Sequence, residues 1–200
     1  MTKKKKKTNS SYQVALDFFA EAGLLKRVRR SGWWVAGIDD PETVADHSFR
    51  TAVIGFYMAH LEKADPYKVV SMCLFNDIHE ARINDLHKMG HSYIDFKDAE
   101  KRVFVDQVKR LDQEVREPLS ALRNEYDGQS TRESQIARDA DILECLIQAK
   151  EYLDSGYLEA EHFFGCAPMH LKCQTAQKIW LKIADWDSSD WWQNVVKFER

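Results

Sequence analysis

Apolar positions along this chain recur at intervals of three and four residues almost throughout, and runs of β-branched alternation bounded by turn residues are hard to find, so the pattern predicts an all-α fold. The stretch "SSYQVALDFFAEAGLLKRVRR" reads as a helix that starts at its serines and runs to about Arg30. Two glycines and a proline in "RSGWWVAGIDDPE" then mark a loop. In "DDPETVADHSFRTAVIGFYMAHL" Asp39 and Glu42 have the spacing of a capping box with Pro41 in the first turn, so a helix is expected to about Leu61 with His47 two turns inside it.

The same device recurs in "DPYKVVSMCLFNDIHEARI", where Asp65 is placed to cap and Pro66 to fill the first helical position. Its middle, "VVSMCLF", is apolar almost all round and predicts a central, buried helix. A long charged amphipathic stretch follows from about Asp95 to Tyr126. Ser130 and Glu133 then open "SQIARDADILECLIQAKEYL" with capping-box spacing, which sets Asp139 and Asp141 one to two turns into that helix. Near the end, "LKCQTAQKIWLKIADW" reads as one amphipathic helix and "SSDWWQNVVKF" as a short capped one, with Trp180, Trp186, Trp191 and Trp192 as packing residues.

Composition narrows the class. Two hundred residues with 44% hydrophobic and 12% aromatic content suffice for one sizeable core, so residues 11–200 are expected to form a single domain behind a disordered lysine-rich tail, residues 1–10. The chain carries a formal charge of −3, which becomes about −8 once Lys3 to Lys7 are set aside. That field disfavours stable nucleic-acid binding by the folded part, so an anionic ligand needs a local positive site. No apolar run is long enough for a membrane span or a signal peptide, and the expected location is the cytoplasm. Cys73, Cys145, Cys166 and Cys173 lack the spacing of a zinc or redox motif and read as reduced thiols.

The chemistry concentrates in "SMCLFNDIHEARINDLHKMG". An ionised Asp on an apolar helix costs several kcal/mol unless a positive partner meets it, and a metal ion is the strongest such partner. Asp77 can face His47 and the Asp139–Asp141 segment if three helices converge, and Glu80, one turn beyond Asn76 and Asp77, would overlook the same point. His79, by contrast, points away from a site at 76 and 77, and His87 and His91 follow the expected helix end, so all three read as surface histidines. The chain has no GxSxG and, with only eight glycines, no phosphate-cradling Gly-rich loop; water activated by a metal is the chemistry that remains.

In order, "ETVADHSFRTAV", "CLFNDIHEARINDLHK" and "RDADILECLIQAKEYLDSGY" resemble the HD-domain phosphohydrolases over about residues 24 to 160, particularly the subgroup similar to 5′-deoxynucleotidases. The resemblance implies an all-helical domain holding a divalent cation through His47, Asp77 and Asp141, with Asn76 standing where the family's doublet has its histidine, by divergence or by an engineered change. Asn offers a neutral oxygen suited to magnesium, calcium or manganese, whereas cobalt, nickel, iron and zinc favour imidazole, so weaker or shifted metal selectivity is expected, with manganese, magnesium and cobalt as the cations to try. "RIND" keeps Asp85 and puts Asn84 where Gly is common in the family. Glu80 and Asp85 would then act at the phosphate ester, Glu80 as proton donor. "RRSGWW" resembles the family's Arg/Trp segment, making Arg30 a phosphate clamp and Trp33 a base-stacking residue, with Arg29 and Trp34 as alternatives for those roles. The implied reaction is release of phosphate from a small nucleotide, such as a deoxynucleoside 5′-monophosphate, by a homodimer; the alternative is a catalytically silent nucleotide-binding protein.

Overall fold

The computed structural model describes residues 11–165 and 167–196, with Ala167 and Pro168 given by backbone alone. The lysine-rich tail, Cys166 and the last four residues lie outside the described residues. Helices α1 (Ser11–Leu24), α2 (Gly32–Val35), α3 (Val44–Glu62), α4 (Pro66–Phe75), α5 (Glu80–Ile83), α6 (Lys88–His91), α7 (Phe96–Val108), α8 (Gln113–Gly128) and α9 (Arg132–Asp154) come first. Two 3₁₀ segments, Leu158–Phe164 and Ala167–His170, lead to α10 (Gln174–Ile183) and α11 (Asp190–Val195). The all-α expectation holds: among the described residues the nearest thing to a sheet is one isolated antiparallel bridge between Arg29 and Thr43. No helix among them is long and apolar enough to cross a membrane.

The core lies where α3, α4 and α9 pack together, with Met58, Val69, Met72, Ile136, Leu143 and Leu146 buried between them. Close approach is built into α3. A Cβ on Gly55 would come within 2.9 Å of Val69 and 3.0 Å of Cys73, so only glycine lets α4 lie this near. Cys73 and Cys173 are buried free thiols and Cys145 is half-buried.

Several element limits differ from the expectation for one reason. The first helix stops at Leu24 instead of Arg30 because the chain turns extended: Val44 N–H donates to Val28 O at 2.9 Å and Arg30 N–H to Glu42 O at 3.1 Å. That pairing holds residues 39–43 outside the next helix, so Asp39 and Glu42 form no capping box. Thr43 caps α3 instead, in a box closed by Asp46, and His47 sits one turn inside rather than two. The box at α9 likewise falls one residue later than expected, on Thr131 and Ser134.

Asp65 does cap α4 with Pro66 behind it, but α4 ends at Phe75, and only Val69, Met72 and Cys73 are fully buried. The charged stretch 95–126 divides into α7 and α8. Of the C-terminal tryptophans, Trp180 packs on the core beside Phe164 and Trp186 is half-buried, whereas Trp191 and Trp192 are exposed, contrary to a packing role.

Candidate active site

Three elements bring His47, Asp77 and Asp141 together. The Thr43 cap fixes the entry of α3 so that His47 faces inward, the chain leaves α4 through a turn over residues 76–79 that tips Asp77 into the gap, and α9 presents Asp141 from its third turn. His47 Nε2 lies 3.0 Å from Asp141 Oδ1 and 3.5 Å from Asp77 Oδ2. One nitrogen and two carboxylate oxygens thus lie within 4.8 Å of one another. A small divalent cation held at about 2.1 Å from each donor needs neighbouring donors roughly 3 Å apart, so this set fits such an ion. Asn76 completes the corner, its Nδ2 donating to Asp77 Oδ1 at 2.8 Å.

The electrostatics agree with the geometry. Burial pushes Asp77 up, and the nearby Asp141 charge pushes it further. Burial would also raise Asp141, yet the His47 hydrogen bond and the Arg138 guanidinium, 2.8 Å away, hold it below the usual carboxylate range. Burial and Arg30 oppose a charge on His47, but Glu144 and Asp141 outweigh them and raise it to about 10. A positive charge is thus strongly favoured between these carboxylates, and a metal ion would replace the proton.

Glu144 is the main residue that local sequence reasoning missed. Fully buried, its carboxylate contacts His47 Nδ1 and accepts from Arg50 Nε at 2.9 Å. Arg50 is itself fixed by Glu151 at 2.7 Å and Gln148 at 2.6 Å. A carboxylate on the far nitrogen of a ligating imidazole sets its tautomer and ring orientation. The available signal was helical spacing, since Glu144 stands three residues beyond Asp141 on one face of α9.

Glu80 is buried at the start of α5, and its Oε2 has no hydrogen-bond partner. Burial first, then the Asp77 and Asp85 charges, raise its pKa well above the ordinary carboxylate range, which favours the protonated form. Asp85 is reached through Asn84, whose φ of +61° with ψ of 168° is a backbone conformation that favours glycine. The Asp85 carboxylate accepts the Ser31 N–H and lies 3.4 Å from Arg30 Nη1, so it tethers the Arg30 loop to the α5 corner. Arg29 is turned elsewhere, to Pro41 O at 2.7 Å and Asp40 at 2.6 Å, so of the two neighbours it is Arg30 that faces the acids.

Trp33 departs from its expected role. It is 1% exposed, lies 4.2 Å from the Phe163 ring and 5.1 Å from Tyr152 between centroids, and donates Nε1–H to Glu42 at 3.0 Å. Both faces are covered by neighbours, so it packs the loop and offers no platform to a base; Trp34 is the exposed member of the pair. His79 is also corrected, being buried rather than on the surface. Its Nδ1 lies 3.1 Å from the Asn76 carbonyl, which also accepts from Arg123 at 2.9 Å, so both side chains brace the turn that carries Asp77. His91 is exposed as expected, whereas His87 is half-buried and caps α6, its side chain accepting the Gly90 N–H.

Asp139, two residues before Asp141, is fully buried but faces away from the site. It accepts the backbone N–H groups of Lys172 at 2.9 Å and Cys173 at 2.6 Å, fixing the entry to α10.

Compared with known proteins, residues 22–180 match the HD domain family. A 5′-deoxynucleotidase from Dictyostelium discoideum is 31% identical over 147 residues, covering 68% of this chain and 76% of that protein. The human 5′-deoxynucleotidase is 29% identical over 140 residues, covering 70% of this chain and 68% of its own. Among solved structures, a conserved hypothetical protein from Pyrococcus furiosus superposes with a TM-score of 0.73 at 31% identity, over 85% of this chain and 97% of that one. A Magnetospirillum magnetotacticum protein described as a predicted metal-dependent phosphohydrolase shares the fold, with a TM-score of 0.68 at 20% identity over 88% of this chain and 92% of that one.

Proposed function

This chain belongs to the HD domain family, and from that premise we propose that it is a metal-dependent phosphohydrolase that removes phosphate from a small nucleotide, a deoxynucleoside 5′-monophosphate being the substrate class. The observation that carries this reading is the convergence of His47, Asp77 and Asp141 within 4.8 Å, beside the buried Glu80 carboxyl, whose pKa burial pushes up. The names of its 5′-deoxynucleotidase relatives supply the substrate class.

His47, Asp77 and Asp141 would hold the cation, with the Asn76 side chain at its edge. When bound, a divalent ion lowers the pKa of water and neutralises phosphate oxygens. Arg30, steadied by Asp85, binds the phosphate as a planar donor. Glu80 delivers its proton to the leaving ester oxygen, so the nucleoside departs as an alcohol rather than an alkoxide. Glu144 keeps the His47 ring in register. On this reading the enzyme works in the cytoplasm as a homodimer, with manganese, magnesium or cobalt as its cation.

A nucleotide-binding protein without turnover is the second reading, favoured by one observation: Asn76 spends its amide on Asp77 at 2.8 Å instead of supplying an imidazole. Phosphate release from the deoxynucleoside 5′-monophosphates, with manganese, magnesium and cobalt each added, distinguishes the two. Turnover that disappears in Asp77→Asn supports hydrolysis, and no release with any of the metals rejects it.

A further inference from the structure

Helix α3 is apolar on both sides. Its inner face buries Val44, His47, Thr51, Ala52, Gly55 and Met58. Its outer face exposes Phe49 by 68%, Val53 by 54%, Phe56 by 43%, Tyr57 by 58% and Leu61 by 56%. These five recur at steps of four, three, one and four residues, which makes one continuous stripe on a 3.6-residue helix. A surface helix ordinarily turns polar side chains to water, and a contiguous apolar stripe of this kind marks a contact surface.

We propose that this outer face is the interface of the homodimer, two copies of α3 packing antiparallel across a two-fold axis; the inference rests on the dimeric state given above and locates it. Three features favour a second copy as the occupant. Between Phe49 and Leu61 the stripe contains no Asp, Glu, Lys or Arg at an exposed position, and its one exposed polar residue, His60, packs edge-on against Phe56 at 4.6 Å, so a copy meets it without like-charge repulsion while that imidazole is neutral. The exposed charges that bound it are opposite, Asp46 at the start of α3 and Lys63 at its C-cap. Antiparallel pairing brings Asp46 of each copy toward Lys63 of the other, with the crossing near Val53 and Phe56 at the middle of the stripe. Isologous contact requires such self-complementarity. The five side chains also offer on the order of 500 Å² per copy, which reaches the lower range of specific interfaces when doubled. Exposed apolar residues on α1 and α11 adjoin the chain ends that lie outside the described residues, whereas α3 sits in the interior of the chain.

Sedimentation velocity on the full chain at micromolar concentration tests the assignment, using Val53→Glu, Tyr57→Lys and, as a control on α7, Val105→Glu. The wild type and the Val105→Glu control are expected to sediment as dimers of the 23.3 kDa chain. Val53→Glu sets two carboxylates against each other at the crossing and is expected to raise the dimer dissociation constant roughly 100-fold or more, with an unchanged helical circular-dichroism spectrum. Tyr57→Lys gives the same reading should Val53→Glu fail to fold. A dimeric wild type with both α3 variants still dimeric overturns the face while the dimer stands. A monomeric wild type overturns both, and the phosphate-release assay is untouched by either result.

Discussion

His47 and Glu144, 97 residues apart in sequence, are joined inside the protein: the carboxylate on α9 contacts Nδ1 of the imidazole and leaves Nε2 facing Asp141 and Asp77. One helix therefore supplies a candidate ligand, Asp141, and also the group that aims the candidate ligand from α3.

Glu144→Gln keeps the shape and one acceptor but removes the charge that favours a cationic or metal-bound imidazole. Metal affinity should fall about 10- to 100-fold with the fold intact. Titration calorimetry with manganese on the metal-free protein measures it; an unchanged affinity would refute the orienting role.

Asn76→His would place an imidazole beside Asp77. Cobalt should then bind at least about tenfold more tightly while magnesium gains little, because imidazole favours the later transition metals. Comparing the metal content of the two purified proteins, together with phosphate release, separates an impaired site from one that Asn76 serves as it stands.

Glu80→Gln removes the carboxyl proposed as proton donor without touching the candidate metal-holding atoms of His47, Asp77 and Asp141. The turnover rate should drop by about 10²- to 10⁴-fold while manganese affinity stays within about twofold. Loss of metal binding in this variant would place Glu80 among the ligands instead.

A pH effect is expected at the far end of α3. Glu62 accepts from Arg132 at 2.8 Å and from the Thr175 N–H at 3.0 Å, and these bonds lower its pKa to about 2. A depressed folded-state pKa gives stability that is fully present above the unfolded value, about 4.5, and is lost as pH falls through about 2. Glu62→Gln should therefore cost roughly 1–2 kcal/mol in urea unfolding at pH 7 and progressively less toward pH 2. An equal deficit at both ends would exclude the linkage.

The helical class and the Asp65 cap were legible because each rests on a local pattern, a period or a cap, and Asp77 stood out as an acid on an apolar run; the choice of Asp141 over Asp139 to join His47 and Asp77 came from the family resemblance. The start of α3 was not, since Asp39 and Glu42 have capping spacing but the pairing of residues 28–30 with 42–44 outcompetes it. Trp33 and His79 were misjudged for a related reason. Their burial comes from Tyr152, Phe163, Glu100 and Arg123, brought up from distant parts of the chain. Local spacing says which way a side chain leaves its own helix, but not what arrives to meet it.

The Asp139 carboxylate has a consequence for how far this protein can be cut down. Its backbone partners at Lys172 and Cys173 lie beyond Asp141 by about thirty residues of chain. A fragment ending before them would leave a bare anion sealed in the interior two positions from Asp141, and α9 would have to shift to hydrate it. The smallest working unit thus extends through α10, and proteolytic nicking between Asp154 and Lys172 followed by release of the tail would silence a site whose own residues are all still present.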